Sequence, residues 1–61
     1  MTRILRLPAV IERTGKPRPS IYRMIKEGIF PKQIKLGERS VGWLESEVDE
    51  WIKQCIEKSQ G

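Results

Sequence analysis

Pro17 and Pro19 stand one residue apart, and a helix can hold both only at its very start. Proline has no N–H to donate and its ring crowds the preceding turn, so in a helix interior it breaks the ladder. In the first turn the missing N–H costs nothing, because the donors there have no intrahelical partner. The residues that follow have helical spacing. Ile21, Met24 and Ile25 gather on one face at about 100° per residue, roughly opposite the arc of Arg18, Tyr22, Arg23 and Lys26. The two prolines therefore predict a helix that begins near Pro17 or Arg18, and Gly28 predicts its end.

The same punctuation organises the rest of the chain. Pro8 fits the first turn of a short helix and Gly15 its left-handed close, with Leu7, Val10, Ile11 and Thr14 on one buried face. Gly15 and Lys16 then form a tight turn. Pro31 blocks further helix, and "QIKLG" and "SVGWL" bracket "GERS". That pattern predicts a β-hairpin, with Ile34, Leu36, Val41 and Trp43 as strand residues and Gly37 supplying the turn conformation. Val48, Trp51, Ile52, Cys55 and Ile56 recur at i, i+3, i+4, i+7 and i+8, a wide apolar stripe on a last, structural helix. Ser46 with Asp49 resembles a capping box with a shorter acid, Glu45 and Glu47 suit the helix N-terminus, and Lys58 and Gly61 suit its C-terminal end. Trp43 and Trp51 are expected to pack. The predicted fold is mostly α with a small β-hairpin: a single winged helix-turn-helix domain over residues 1–61, made of helix, turn, helix, two-stranded wing and C-terminal helix.

Composition narrows the chemistry. A chain of 61 residues lies near the lower size limit for folding unaided. With one cysteine and no histidine, it can build neither a disulfide framework nor a zinc site of the usual ligands, so no metal or other cofactor is expected. Histidine is also absent as a general base, and Gly15-Lys16 lacks the glycine spacing of a phosphate loop. Cys55 falls on the apolar stripe and is expected to be a core thiol. The expectation is a protein that is not an enzyme. No apolar run approaches the roughly 18 residues of a membrane span. The opening "MTRILRLP" lacks the apolar region of a signal peptide, so the expected compartment is the cytoplasm, with no membrane partner.

Charge points to a polyanion. Residues 1–43 hold ten Lys/Arg against Glu12, Glu27 and Glu38, a net +7, whereas residues 44–61 are net −3. In a helix-turn-helix the second helix enters the DNA major groove with its N-terminal residues forward. Here that helix carries Arg18, Ser20, Tyr22, Arg23 and Lys26. Arginine suits bidentate contact with guanine, whereas lysine, serine and tyrosine more often hold phosphates. Tyr22 borders both faces, so it can pack its ring and offer its hydroxyl to a phosphate. The hairpin tip adds Lys35, Arg39 and Ser40 as a basic wing for backbone or minor-groove contact. The expected partner is double-stranded DNA.

Beyond these patterns, specific words in the sequence resemble a known family. They are Arg6-Leu7-Pro8, Thr14-Gly15, Ser20-Ile21-Tyr22-Arg23, Lys26-Glu27-Gly28, Phe30-Pro31-Lys32, Lys35-Leu36-Gly37, Arg39, Val41-Gly42-Trp43, Glu47-Val48-Asp49 and Trp51-Ile52. Together, and across nearly the whole chain, they resemble the AlpA family of small prophage transcriptional regulators, itself similar to excisionases and MerR-like winged-helix domains. The resemblance implies a sequence-specific DNA-binding regulator from a prophage or genomic island, acting on integrase or excision genes. At one place the chain departs from the pattern. The usual Leu-Ser-Arg-Ser-like lead into the second helix is Lys16-Pro17-Arg18-Pro19 here, which keeps Arg18 but replaces both serines.

Two other functions fit parts of the sequence. One is an excisionase-like architectural factor that bends DNA for a site-specific recombinase. The other is a small protein-interaction module that docks through Trp51 and the acidic helix. Self-association on DNA and contact with a recombinase or RNA polymerase are compatible with a domain this small, which covers few base pairs.

Overall fold

The computed structural model describes residues 3–60. Gly61, expected beside Lys58 at the end of the last helix, lies outside the described residues. The elements follow in the order β1 (Ile4–Leu5), α1 (Leu7–Thr14), α2 (Arg18–Lys26), β2 (Ile34–Lys35), β3 (Val41–Leu44) and α3 (Glu45–Gln60).

Both short helices are bounded as their prolines and glycines predict. Pro8 sits in the first turn of α1, and Pro17, extended at φ −71° and ψ 163°, leads into α2 with Pro19 in its first turn. Gly15 has φ 70° and returns its N–H to the Ile11 carbonyl at 2.8 Å. After α2, Gly28 has φ 81°; its N–H bonds to the Ile25 carbonyl at 3.0 Å, and the Ile29 N–H bonds to the Met24 carbonyl at 3.0 Å. This crossed pair satisfies the last carbonyls of the helix, and it needs a backbone angle that a side chain would strain. Residues 15–17 alone separate the two helices, and Thr14 braces them. Its hydroxyl donates to the Val10 carbonyl at 2.8 Å and accepts the Lys16 N–H at 3.3 Å.

The hairpin forms as expected, with Ile34 opposite Gly42 and Lys35 opposite Val41. The Leu36 N–H closes it on the Ser40 carbonyl at 2.7 Å. Its turn is not made by a left-handed Gly37, however. Among the described residues only Gly15 and Gly28 have positive φ. The loop over 36–40 is long enough to reverse the chain without that angle.

A third strand completes the sheet, in the order β1-β3-β2. β1 runs antiparallel to β3, with Ile4 opposite Leu44 and Leu5 opposite Trp43. Gly42 is the glycine this sheet requires. A Cβ there would lie 2.5 Å from Ile4 Cγ2 and 3.0 Å from both the Leu5 carbonyl oxygen and Leu36 Cδ1. Gly42→Ala should therefore push β1 from its place and cost about 1–3 kcal/mol. In a chain of this size that lowers Tm by about 5–20 °C. Thermal melts followed by circular dichroism test this; an unchanged Tm would show that the strands do not approach so closely.

The core consists of Leu5, Val10, Ile21, Met24, Phe30, Trp43 and Val48. Trp43 is its largest member; it is wholly buried, and its indole N–H donates to the Pro31 carbonyl at 3.0 Å. Trp51 is half-buried, edge-on to Phe30 at 5.0 Å between ring centres, and its N–H donates to the Ile29 carbonyl at 2.7 Å. Both tryptophans thus pack in the fold and bond to backbone carbonyls of their own chain.

Only the first half of the α3 stripe packs. Val48 is buried and Trp51 and Ile52 are half-buried, but Cys55 is exposed and Ile56 is 52% exposed. Cys55 is therefore a surface thiol and not part of the core. Among the described residues, the small body that α3 packs on covers little of its last two turns. Its start also differs from the expected capping box. α3 leaves β3 without a break, and the Glu45 N–H bonds to the Arg3 carbonyl at 2.8 Å. Ser46 already lies inside the helix and makes no side-chain hydrogen bond among the described residues. Asp49 is turned toward Arg13 instead.

Candidate nucleic-acid interface

α2 presents its charged residues on the side away from the core. Ile21 and Met24 are buried and Ile25 is half-buried, whereas Arg18, Arg23 and Lys26 are exposed. Ser20 and Tyr22 are half-buried. Arg18 is the first residue of the helix and Lys26 the last, so the strip runs its whole length. The Tyr22 ring lies between two neighbours. Trp43 meets it edge-on at 6.5 Å and 61°, and the Arg18 guanidinium carbon stands 5.6 Å from its centre.

The ion pairs decide which cations are free. Among the described residues, Arg13 alone forms salt bridges, to Glu45 at 2.8 Å and Asp49 at 3.2 Å. Arg13 belongs to the last turn of α1 and Glu45 to the first turn of α3, so both charges also suit the dipoles of their helices. This clamp joins the ends of two elements and draws two acidic groups away from the basic surface. Among the described residues, Arg18, Arg23, Lys26, Lys35 and Arg39 are left without a carboxylate partner. A polyanion could neutralise them without first breaking an internal pair.

The wing is more mixed. Lys35 is exposed on β2, Arg39 is exposed at the loop tip, and Ser40 is half-buried with its carbonyl engaged by Leu36. Glu38 is exposed at the same tip, so the local charge is smaller than the two cations alone suggest. One further cation, passed over in the sequence pattern, stands beside the start of α2 in the chain. Lys16 is exposed in the turn directly ahead of α2, with its backbone N–H held by Thr14. The signal for it was a basic residue beside a helix start, too common to single out without the turn geometry.

Two short helices joined by a three-residue turn, the second with an unpaired cationic strip, beside a β-hairpin and a closing helix, define a winged helix-turn-helix protein. The chain belongs to the AlpA family: the profile of the prophage CP4-57 regulatory protein (AlpA) family matches residues 3–56. It is 50% identical over 58 residues to the DNA-binding transcriptional activator AlpA of Escherichia coli strain K12, covering 85% of this chain and 83% of that protein. It is also 46% identical over 50 residues to the uncharacterized protein ORF88 of Enterobacteria phage P4, covering 82% of this chain and 57% of that protein.

Proposed function

We propose that this protein is a sequence-specific regulator of transcription that binds double-stranded DNA, with α2 in the major groove and the wing on the backbone or in the minor groove. The observation that carries the reading is the exposed, unpaired strip of Arg18, Arg23 and Lys26 on the helix that follows the turn. Arg18 and Arg23 are assigned to base edges, and Ser20 and Lys26 to phosphates beside them. Tyr22 lies against the backbone, and Lys35, Arg39 and Ser40 hold the flanking strand. The Escherichia coli relative is a DNA-binding transcriptional activator, and half-identity over most of both chains supports the same role here.

Salt titration of DNA binding tests the assignment. Affinity should fall linearly on a log–log plot, with a slope of about −0.9 for each phosphate neutralised. Lys35→Ala should weaken all duplexes by a similar factor and reduce that slope by about one. Elution from heparin at very low salt would overturn DNA binding in favour of a protein-interaction module, and a Lys35→Ala effect confined to one sequence would overturn this use of the wing.

A further inference from the structure

We propose that Tyr22 is a positioning residue for Arg18: its ring holds the guanidinium at the head of α2 and thereby sets the base discrimination of the protein. The inference rests on the proposed DNA-binding role and deepens it.

Arg18 and Tyr22 are four residues apart on α2, so their side chains meet on one face of the helix. The Arg18 guanidinium carbon lies 5.6 Å from the centre of the Tyr22 ring, within the range of a cation–π contact. Among the described residues Arg18 forms no salt bridge and no side-chain hydrogen bond. A ring face can steady the cation without using any of its N–H donors, so all five remain available to a guanine edge or a phosphate.

The ring is itself anchored. Tyr22 is half-buried and its edge meets Trp43, which is fully buried and bonded through its indole N–H to the Pro31 carbonyl. A continuous series of contacts thus runs from the core to the tip of the helix: Pro31 carbonyl, Trp43 indole, Tyr22 ring, Arg18 guanidinium. The backbone of Arg18 is restrained as well, because the prolines on both sides have fixed φ. An arginine whose backbone and head group are both restrained loses less freedom on binding, and it holds its fork at one angle to the groove.

Discrimination is read as the ratio of Kd for a non-specific duplex to Kd for a duplex selected from a random pool. Tyr22→Phe keeps the ring; loss of a hydroxyl that contacts phosphate weakens both duplexes alike, so the ratio should stay within about twofold of wild type. Tyr22→Leu keeps an apolar side chain against Trp43 but removes the ring face, and should lower the ratio by about three- to tenfold. In an Arg18→Ala background Tyr22→Leu should change the ratio no further. A direct readout needs no DNA: the Arg18 side-chain protons should show ring-current shifts in wild type and Tyr22→Phe that are absent in Tyr22→Leu. If Tyr22→Leu does not fold, the wild-type and Tyr22→Phe shifts still decide the matter. Equal losses in Tyr22→Phe and Tyr22→Leu would overturn the inference in favour of the hydroxyl. So would a Tyr22→Leu effect that persists without Arg18, or the absence of ring-current shifts in wild type. A wild type with no preference among duplexes would overturn the DNA-binding reading itself.

Discussion

A chain with both Arg18 and Arg23 replaced by alanine should keep its fold and lose about 10²- to 10³-fold of its affinity for its preferred duplex, since a good bidentate contact contributes about 1–3 kcal/mol of discrimination. Both side chains are exposed and, among the described residues, neither is in an ion pair, so their removal leaves no buried charge and no cavity. The helix itself is little affected. Arg18 is a cation at the positive end of the helix dipole and Arg23 one near the negative end, so their small contributions oppose each other. Surface substitutions of this kind usually move stability by no more than about 0.5 kcal/mol. Fluorescence anisotropy with labelled duplex, alongside a thermal melt, separates binding from folding. Equal binding by wild type and the double variant would refute the placement of α2 in the groove.

The second large effect concerns folding. Trp43→Ala should leave the domain largely unfolded at 37 °C. Truncating a buried aromatic costs about 3–5 kcal/mol, and a chain of this size has a total stability of only about 3–9 kcal/mol. Trp43 is the largest wholly buried side chain. It lies in the central strand opposite Leu5, supports Tyr22 on α2 and ties the Pro31 carbonyl. Its loss would also leave that carbonyl without its donor. Trp43→Phe should be milder, because it keeps much of the volume and gives up the hydrogen bond. The far-ultraviolet circular dichroism of Trp43→Ala should resemble that of a denatured chain. A Tm within a few degrees of wild type would contradict the central place of this residue.

The exposed cationic face of α2 was legible because local rules define it. The prolines at 17 and 19 admit only one helix start, Gly28 fixes the end, and the spacing of Ile21, Met24 and Ile25 decides which side faces inward. The wing was legible as a hairpin but not in its turn: Gly37 drew the attention, whereas Gly42 is the glycine the packing requires. That requirement comes from β1, a two-residue strand between Arg3 and Arg6 whose own sequence has no alternation to detect. The free state of the cations was not legible either. Nothing near Arg13 in the sequence announces Glu45 and Asp49, which lie 32 and 36 residues away.

The sequence by itself determined the ends of α1 and α2, the position of the hairpin and the inward face of each short helix. Proline's fixed φ, glycine's access to positive φ and a 3.6-residue period act over a few neighbouring residues and need no partner. Tertiary structure alone decided that β1 completes the sheet, that Arg13 absorbs two carboxylates, that Tyr22 lies between Trp43 and Arg18, and that Cys55 and Ile56 stay in water. An apolar stripe states what a helix would bury if a surface were there. Over the last turns of α3 this small body offers little among the described residues, and that depends on where distant residues come together.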